Sequence, residues 1–233
     1  MNPLNAALDT SWGFSLALED EGGTPLAQEH LAAVGRESDR LLVPWLSECL
    51  GKVGATLAQV GRWTLGTGPG SFAGLRCGIA AVKGCALATG ASLRGVPSAY
   101  AVALAVPASP GLVGVLHDGR CGEVLFSPFR RDEAGGLWPE CPPIPLAPQR
   151  LEEEGRLCGA YGLLQPELLD LCPPSLREKA TVLSRVPAEA LLHAPEGLFP
   201  WEVDPTAQER SVEPLYVRQA VFVKPASLRA DLS

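Results

Sequence analysis

The sequence predicts an α/β protein made of two lobes that share one plan. In the first hundred residues, short apolar runs typical of strands alternate with longer segments of helical periodicity. A second observation is a repeat: an apolar run, an Asp, a Gly four residues later and another apolar run occur at Asp9 and Gly13, and again at Asp118 and Gly122. Repetition on this scale indicates two lobes of one fold. The length of 233 residues, long for one domain and short for two full ones, agrees with this.

The first lobe is predicted to comprise residues 1–108. Its strands are predicted at residues 4–8, 14–18, 26–33, 63–66 and 93–96. Helices are predicted from Ser38 or Asp39, as the cap, to about residue 50, then over residues 72–88 and 98–106. Pro44 lies inside the first helical segment, so either it occupies the first turn or the helix begins late.

The second lobe is predicted to comprise residues 109–211. It opens with strands at residues 112–116 and 123–129, which repeat the start of the chain. Residues 138–205 are rich in proline and predict short elements with long connections. The apolar segment 212–224 is expected to pack back onto the body of the protein.

Composition places the chain among globular proteins. Hydrophobic residues make up 46% and charged residues 19%, which excludes the disordered class. The net charge of −7 disfavours a protein that grips nucleic acid by itself, because binding phosphates requires a basic excess.

Cysteine spacing and the lengths of the apolar runs predict a cytoplasmic protein. The seven cysteines are never closer than eight residues, so the chain has no CxxC pair for zinc or redox chemistry. Residues 1–5 carry no basic region of the kind that begins a signal peptide. The apolar stretch 99–106 is far shorter than the roughly 20 residues that a membrane helix needs.

A glycine-rich segment, GTGPGS at residues 66–71, joins a predicted strand to a predicted helix. It is not a P-loop, because Lys83 is followed by Gly84 and not by Ser or Thr. Ser71 replaces the third glycine of a dinucleotide fingerprint, and the G-x-S-x-G elbow of serine hydrolases is absent. The residues leave two interpretations open: a turn that lets two chains pass closely, or a helix start that faces a phosphate.

The titratable residues form no recognisable catalytic constellation. The three histidines are His30, His117 and His193. They are too far apart in sequence to form a two-histidine metal motif within one helix. Asp9, with Thr10 and Ser11, could coordinate a magnesium-bound nucleotide at the end of a strand. An Asx turn that closes a hairpin is the better prediction from these residues alone.

Residues 68–78 read GPGSFAGLRCG and resemble the GPGSFTGLRIG signature of the bacterial TsaB (YeaZ) family, with Ala73 and Cys77 departing from it. The identical positions are Gly68, Pro69, Gly70, Ser71, Phe72, Gly74, Leu75, Arg76 and Gly78. Shorter matches follow in family order: DTS at 9–11, ESDRLL at 37–42 (HSERLL in the family), DGRCGEVL at 118–125 (DARRGEVY) and EPLYVR at 213–218 (EPxYLR). The likeness spans nearly the whole chain apart from residues 138–205.

The resemblance implies the actin/Hsp70-like (ASKHA) fold, which is built from two RNase-H-like lobes. It also implies a role in making N6-threonylcarbamoyladenosine at position 37 of tRNA. In that role the chain is a non-catalytic scaffold and activator for a TsaD-type transferase, joined by a TsaE-type ATPase. It is expected to meet tRNA only through this complex and to pair with a second copy of itself when alone.

The resemblance also predicts that the chain is inactive by itself. The transferase relatives carry an HxxxH metal motif, and at those positions this chain has Ser98 and Val102, which are not metal ligands of the needed strength. No cofactor is expected to be required, and at most weak ATP or ADP binding is expected at Asp9, Thr10, Ser11 and Asp118.

A helical partner face is the last implication of the resemblance. We predict that it contains Leu41, Leu42, Trp45, Leu46, Ile79 and Lys83. The same spacing also fits ordinary core residues, Leu42 and Leu46 above all.

Two alternative functions belong to other classes. A stand-alone M22-type peptidase or hydrolase would need the missing HxxxH or G-x-S-x-G motif. An actin-like ATPase or sugar kinase would need an adenosine-binding glycine motif in the second lobe, for which GAYG at residues 159–162 is the candidate.

Overall fold

The computed structural model describes residues 3–32, 38–107, 109–120, 122–154, 158–198 and 212–215. Within them the chain forms two mixed sheets with helices around and between them.

The first sheet has five strands: β1 (Leu4–Asp9), β2 (Phe14–Asp20), β3 (Pro25–Leu31), β4 (Val60–Gly66) and β5 (Ser92–Val96). Their order in space is β3-β2-β1-β4-β5. The first three strands are antiparallel, whereas β4 and β5 run parallel to β1. β1 and β2 are buried on both faces, whereas the edge strand β3 exposes alternate residues.

Three helices accompany this sheet: α1 (Ser38–Lys52), α2 (Phe72–Thr89) and α3 (Ser98–Ala105). The prediction that Ser38 or Asp39 caps α1 was wrong, because both residues already lie within the helix, and Pro44 is an interior residue of it. The Oγ of Ser71 caps α2 by accepting a bond from the N–H of Gly74 at 3.2 Å. Gly90 ends α2 with a φ of 79°, in the left-handed region that favours glycine.

The second sheet is formed by β6 (Gly111–Arg120), β7 (Glu123–Arg131), β8 (Leu137–Pro139), β9 (Ile144–Leu146), β10 (Cys158–Leu163) and β11 (Ala180–Val182). Its spatial order is β11-β10-β6-β7-β8, and β9 also pairs with β7. β7 is antiparallel to β6 and β8, whereas β10 and β11 extend the sheet in parallel.

The two sheets therefore share one plan, in which three antiparallel strands are followed by two parallel ones. The repeat extends to the first turn of each lobe. The Oδ1 of Asp9 accepts the N–H of Ser11, and the Oδ1 of Asp118 accepts the N–H of Arg120, each at 2.8 Å. Gly13 and Gly122 follow with φ values of 70° and 79°. The predicted duplicated, two-lobed α/β fold is confirmed.

The first sheet separates two apolar cores. Because side chains alternate along a strand, Leu8 and Leu16 face α1 and α2, whereas Ala7 and Ala17 face the opposite side. On that opposite side lie α3 and α6 (Ala188–Leu192), together with Val113 and other residues of the second sheet. The two lobes thus share the core around α3 and α6.

Short elements complete the second lobe, as the proline-rich composition predicted. They are α4 (Leu151–Glu154), α5 (Pro174–Arg177) and the 3₁₀ turns Pro148–Arg150 and Pro166–Leu171. With the outer face of the second sheet they enclose a third core. A further 3₁₀ turn, Leu57–Gln59, precedes β4 in the first lobe.

The segment that contains α6 crosses back to the first lobe. α6 packs on β1, β2 and β4, and Arg94 of β5 donates to the carbonyls of Ala194 and Pro195. Arg62 of β4 pairs with Glu196 at 3.0 Å. The lobe boundaries at residues 108 and 211 stay a prediction.

Of the tail that was expected to pack back, residues 212–215 are described. Val212 is buried in the core beneath α1 and α2, and the N–H of Leu215 donates to the carbonyl of Thr67 at 2.8 Å. Residues 216–224 lie outside the described part of the chain.

By length and composition alone, the 18-residue helix α2 could cross a membrane. In this structure Leu75, Ile79 and Val82 on its buried side belong to the first lobe, and α2 packs on β1 and β4. Core helices pass the same test of length and composition.

Candidate functional site

The centre of the first lobe is a turn that we call the Asp9 turn, residues 9–11, at the end of β1. The Asp9 side chain is 1% exposed. Its Oδ1 accepts the N–H of Ser11 at 2.8 Å and the Oγ of Ser11 at 2.6 Å, and its Oδ2 accepts the Oγ of Ser98. Both carboxylate oxygens are therefore occupied by donors from the protein itself.

Burial raises the pKa of the Asp9 carboxyl above its usual range, while hydrogen bonds from Ser11 and Ser98 act in the opposite direction. A carboxylate removed from water needs these donors, because an unpaired buried charge is strongly unfavourable. The donors thus make the buried position of Asp9 tolerable.

The glycine-rich loop, residues 66–70, packs directly on the Asp9 turn. A methyl group on Gly66 would lie 2.8 Å from the Cγ of Asp9, and one on Gly70 would lie 2.7 Å from the carbonyl oxygen of Ser11. Such separations are too short for real carbon atoms, so only glycine fits. The N–H of Ser71 also donates to the carbonyl of Ser11 at 2.8 Å.

Helix α2 continues this close approach over two turns. A methyl group on Gly74 would collide with the carbonyl oxygen of Thr10, and one on Gly78 would lie 2.7 Å from the Cγ2 of Thr10. Of the two interpretations of the glycine-rich segment, the geometry matches the turn that lets chains pass closely.

Helix α3 joins the same network through its first turn. The Oγ of Ser98 accepts the N–H of Gly68 at 3.0 Å while it donates to Asp9, and the N–H of Ala99 donates to the carbonyl of Gly68 at 3.4 Å. Val102, one turn later, is fully buried in the shared core. Ser98, which the resemblance aligns with the first histidine of the transferase motif, thus has a hydroxyl with two structural partners.

The predicted nucleotide residues separate into two environments. Asp9, Thr10 and Ser11 are buried, so in this conformation they present no side chain to a nucleotide. Asp118 is partly exposed, pairs with Arg120 at 3.0 Å, and its N–H donates to the Oε1 of Gln165 at 2.9 Å. Weak ATP or ADP binding stays a prediction.

The glycine motif considered for a kinase, residues 159–162, lies inside strand β10 and not in a loop. A methyl group on Gly162 would lie 2.6 Å from Val106 and 2.8 Å from Val102. Gly162 thus allows β10 to pack closely against the end of α3.

The structure sorts the predicted partner-face residues into four groups. Leu42, Leu46 and Ile79 are buried in the first core, so their assignment to an accessible face was wrong. Trp45 is partly buried, with its ring 5.6 Å from that of Phe14. Leu41 is exposed, and its contact with a partner stays a prediction.

Lys83 forms the fourth group, because its Nζ pairs with Glu213 at 2.6 Å. The residue that was predicted to contact a partner therefore contacts a distant segment of its own chain. Sequence reasoning gave no signal for this contact, because the two residues are 130 positions apart.

Exposed apolar residues that were not predicted for the partner face lie on the same two helices. Val43 on α1 is 44% exposed, and on α2 Phe72 is 49% and Leu87 79% exposed. Arg76 covers the Phe72 ring, with its guanidinium carbon 3.9 Å from the ring centre. Leu87 could have been found from helical spacing, because it falls outside the buried series Leu75, Ile79, Val82 and Ala86.

His117 is the one buried histidine among the described residues. Neither ring nitrogen has a hydrogen-bond partner there, and burial lowers the pKa of the imidazole to about 4. Across the same described ranges, no group of three or more His, Cys, Asp or Glu side chains could hold a metal ion.

Comparison with known proteins gave consistent matches. Residues 32–134 match the family model described as TsaD, tRNA N6-adenosine threonylcarbamoyltransferase. The chain is 28% identical over 226 residues to the tRNA threonylcarbamoyladenosine biosynthesis protein TsaB of Escherichia coli K12, covering 94% of this chain and 96% of that protein. It is 34% identical over 103 residues to the protein of the same name from Haemophilus influenzae, covering 42% of each chain.

Solved structures share the fold. The solved structure of YeaZ from Pseudomonas aeruginosa has a TM-score of 0.69 at 24% identity, covering 92% of this chain and 99% of that one. An uncharacterised protein with similarity to peptidase YeaZ, also from Pseudomonas aeruginosa, has a TM-score of 0.70 at 24% identity, covering 93% and 100%.

The contact between α2 and the Asp9 turn predicts opposite effects of one substitution at two glycines of the same helix. Gly78→Ala should lower the free energy of unfolding by about 1–3 kcal/mol, because its methyl group overlaps Thr10. Gly84→Ala should raise it by up to about 1 kcal/mol, because nothing lies within 4 Å of the new methyl group and alanine favours the helix. Urea denaturation of both variants tests this. Equal effects of the two substitutions would contradict the packing argument.

The lowered pKa of His117 predicts a loss of stability in mild acid. Above pH 6.5 the imidazole is neutral in both folded and unfolded chains. As the pH falls from 6.5 to about 4, only the unfolded chain takes up the proton, so the folded state loses up to about 3 kcal/mol. His117→Leu should remove this contribution and so flatten the profile of unfolding free energy against pH.

The measurement is the difference between the wild-type and variant profiles of unfolding free energy from pH 7.5 to 4.5. The contributions of the other titrating groups cancel in this difference, including that of Asp9, whose pKa is shifted in the opposite direction. A constant difference across that range would show that His117 does not titrate as described.

Proposed function

We propose that this chain is a member of the TsaB/YeaZ family and that it works in tRNA threonylcarbamoyladenosine biosynthesis as a non-catalytic subunit that binds and activates a TsaD-type transferase. The relatives named TsaB carry this pathway in their names, and the chain spans 96% of the Escherichia coli protein. The observation that carries the proposal is a pair of helices whose outer sides are apolar and exposed.

We call the exposed surface of α1 and α2 the outer face; its large apolar residues are Leu41, Val43, Phe72 and Leu87. Small residues accompany them on α2, where Ala80, Gly84 and Ala88 are also exposed. A methyl group on Gly84 would meet nothing within 4 Å, so a second helix can approach this side closely. Large exposed apolar side chains beside small residues are typical of a surface that a partner helix covers.

Several observations support a role without catalysis by this chain. Ser98 and Val102 stand where the transferase relatives carry metal-binding histidines, and both side chains are committed to structural contacts. The peptidase alternative requires the same missing motif. The candidate glycine motif of the kinase alternative lies inside strand β10 and not in a loop.

A scaffold can activate a transferase through binding alone. If the outer face binds the active conformation of the partner more tightly than the inactive one, it shifts the population of the partner towards the active state. A few kcal/mol of differential binding free energy, roughly 5 for a full switch, is enough. No cofactor is required on this chain for that effect.

Other parts of the proposal follow from charge and from the family. A TsaE-type ATPase joins the complex, and tRNA is bound mainly by the other subunits, because the net charge of −7 is unfavourable for binding phosphates. Alone, the chain pairs with a second copy through the same outer face. The whole assembly acts in the cytoplasm.

The proposal is tested by reconstitution with the transferase, the TsaE-type ATPase, the synthase of the threonylcarbamoyl adenylate and a substrate tRNA. Modified adenosine, measured by mass spectrometry of nucleosides, should form efficiently only when this chain is added. The chain alone should modify no tRNA and cleave no glycoprotein. A yield that is the same with and without it would refute the activator role.

The same assay locates the contact. Leu87→Asp should reduce transferase affinity about tenfold or more, because it places a charge in a covered apolar contact. The matched control is Leu171→Asp, on a second-lobe surface where the leucine is also exposed. Both should keep wild-type stability. If the two variants bind alike, the outer face of α2 is not the partner surface.

A further inference from the structure

We propose that residues 212–215 form a clasp that fixes the second half of α2 for partner binding, so that Lys83 is a positioning residue that acts through Glu213 and does not itself contact the partner. This inference rests on the proposed function for its effect on binding. The clasp itself is argued from contacts within the chain.

The clasp is anchored in the first core. Val212 is 5% exposed and belongs to the apolar cluster between the sheet and α2. A methyl group on Gly95 of β5 would lie 3.2 Å from the Cγ1 of Val212 and 2.9 Å from the Cγ2 of Thr67, so the missing side chain makes room for the clasp. Pro214 is buried as well.

A backbone bond ties the clasp to the glycine-rich loop. The N–H of Leu215 donates to the carbonyl of Thr67 at 2.8 Å, and the N–H of Thr67 donates to the carbonyl of Val96 at 2.9 Å. Thr67 directly precedes Gly68, whose N–H is bound by Ser98. The clasp therefore touches the same loop that supports the first turn of α2.

The third contact reaches α2 itself. Glu213 pairs with Lys83 at 2.6 Å, and the side chains are 69% and 31% exposed. The first half of α2 is fixed by the contacts of Gly74 and Gly78 with Thr10. The second half packs Val82 and Ala86 into the first core, but Gly84 there has no contact of this closeness. The clasp supplies a polar tether to this second half.

Lys83 thus lies beside exposed α2 residues but directs its ammonium group towards its own chain. A single ion pair at this exposure has a small effect on stability. Reversing one charge is a stronger perturbation, since it replaces attraction by repulsion at the same position.

Charge exchange distinguishes positioning from direct contact. Lys83→Glu and Glu213→Lys should each weaken transferase binding about tenfold, and the double variant should return to within about twofold of the wild type. Glu178→Lys, an exposed charge reversal in the second lobe, is the control and should bind like the wild type. If Lys83 contacts the partner directly, Glu213→Lys will bind normally and the double variant will stay as weak as Lys83→Glu, which would overturn the proposal.

A second readout needs no partner. In the isolated chain, Glu213→Lys and Val212→Ala should each speed hydrogen exchange about tenfold or more at the amides of residues 83–89 and 67–70. The double variant that combines Lys83→Glu with Glu213→Lys should show the wild-type rates. Unchanged exchange in both single variants would overturn the clasp. If the two variants exchange faster but the wild-type chain does not bind the transferase, the clasp is supported and the proposed function is refuted.

Discussion

The first lobe depends on one buried carboxylate. Asp9 lies at the end of β1, and its oxygens accept bonds from the N–H and Oγ of Ser11 and from the Oγ of Ser98. Ser98 begins α3 and also binds the N–H of Gly68. One side chain therefore links the central strand, the glycine-rich loop and the helix that both lobes share. Without these donors a carboxylate at this depth would be unfavourable by several kcal/mol.

The glycine signature is the complement of this turn. Gly66, Gly70, Gly74 and Gly78 lack side chains where the Asp9 turn fills the space. The glycine-rich segment, which could have faced a phosphate, here packs one part of the chain on another. Its glycines therefore have a structural role inside the lobe. The outer side of α1 and α2 is accessible to other molecules, and Leu87 on it is 79% exposed. This division is compatible with the binding role that we propose.

Much of the fold could be predicted because it depends on local patterns. Strand alternation, the spacing of apolar residues in helices and the repeat from Asp9 to Asp118 carry the element order and the duplication. Element ends moved by a few residues, as for the strand predicted at 26–33, which ends at Leu31. Helical periodicity shows which side of α1 is apolar but not what covers it, so Leu42 and Leu46 were assigned to a partner although the sheet buries them.

Contacts between distant segments could not be predicted. α6 has five residues, too few to show a period, yet it packs on three strands of the other lobe. The pairing of Lys83 with Glu213 spans 130 positions and is visible only in three dimensions. The occupation of Asp9 by Ser98, 89 positions away, belongs to the same class, although the Asx turn with Ser11 followed from the local sequence.

Asp9→Asn provides the most direct test of the view that Asp9 has a structural role and the outer face a binding role. The amide keeps the size of the side chain but directs an N–H₂ group at donors, so the free energy of unfolding should fall by about 2–4 kcal/mol. Below its melting temperature the folded variant should still bind the transferase with wild-type affinity and support tRNA modification. A variant that is as stable as the wild type yet supports no modification would show that Asp9 acts in the function itself, and would contradict this account.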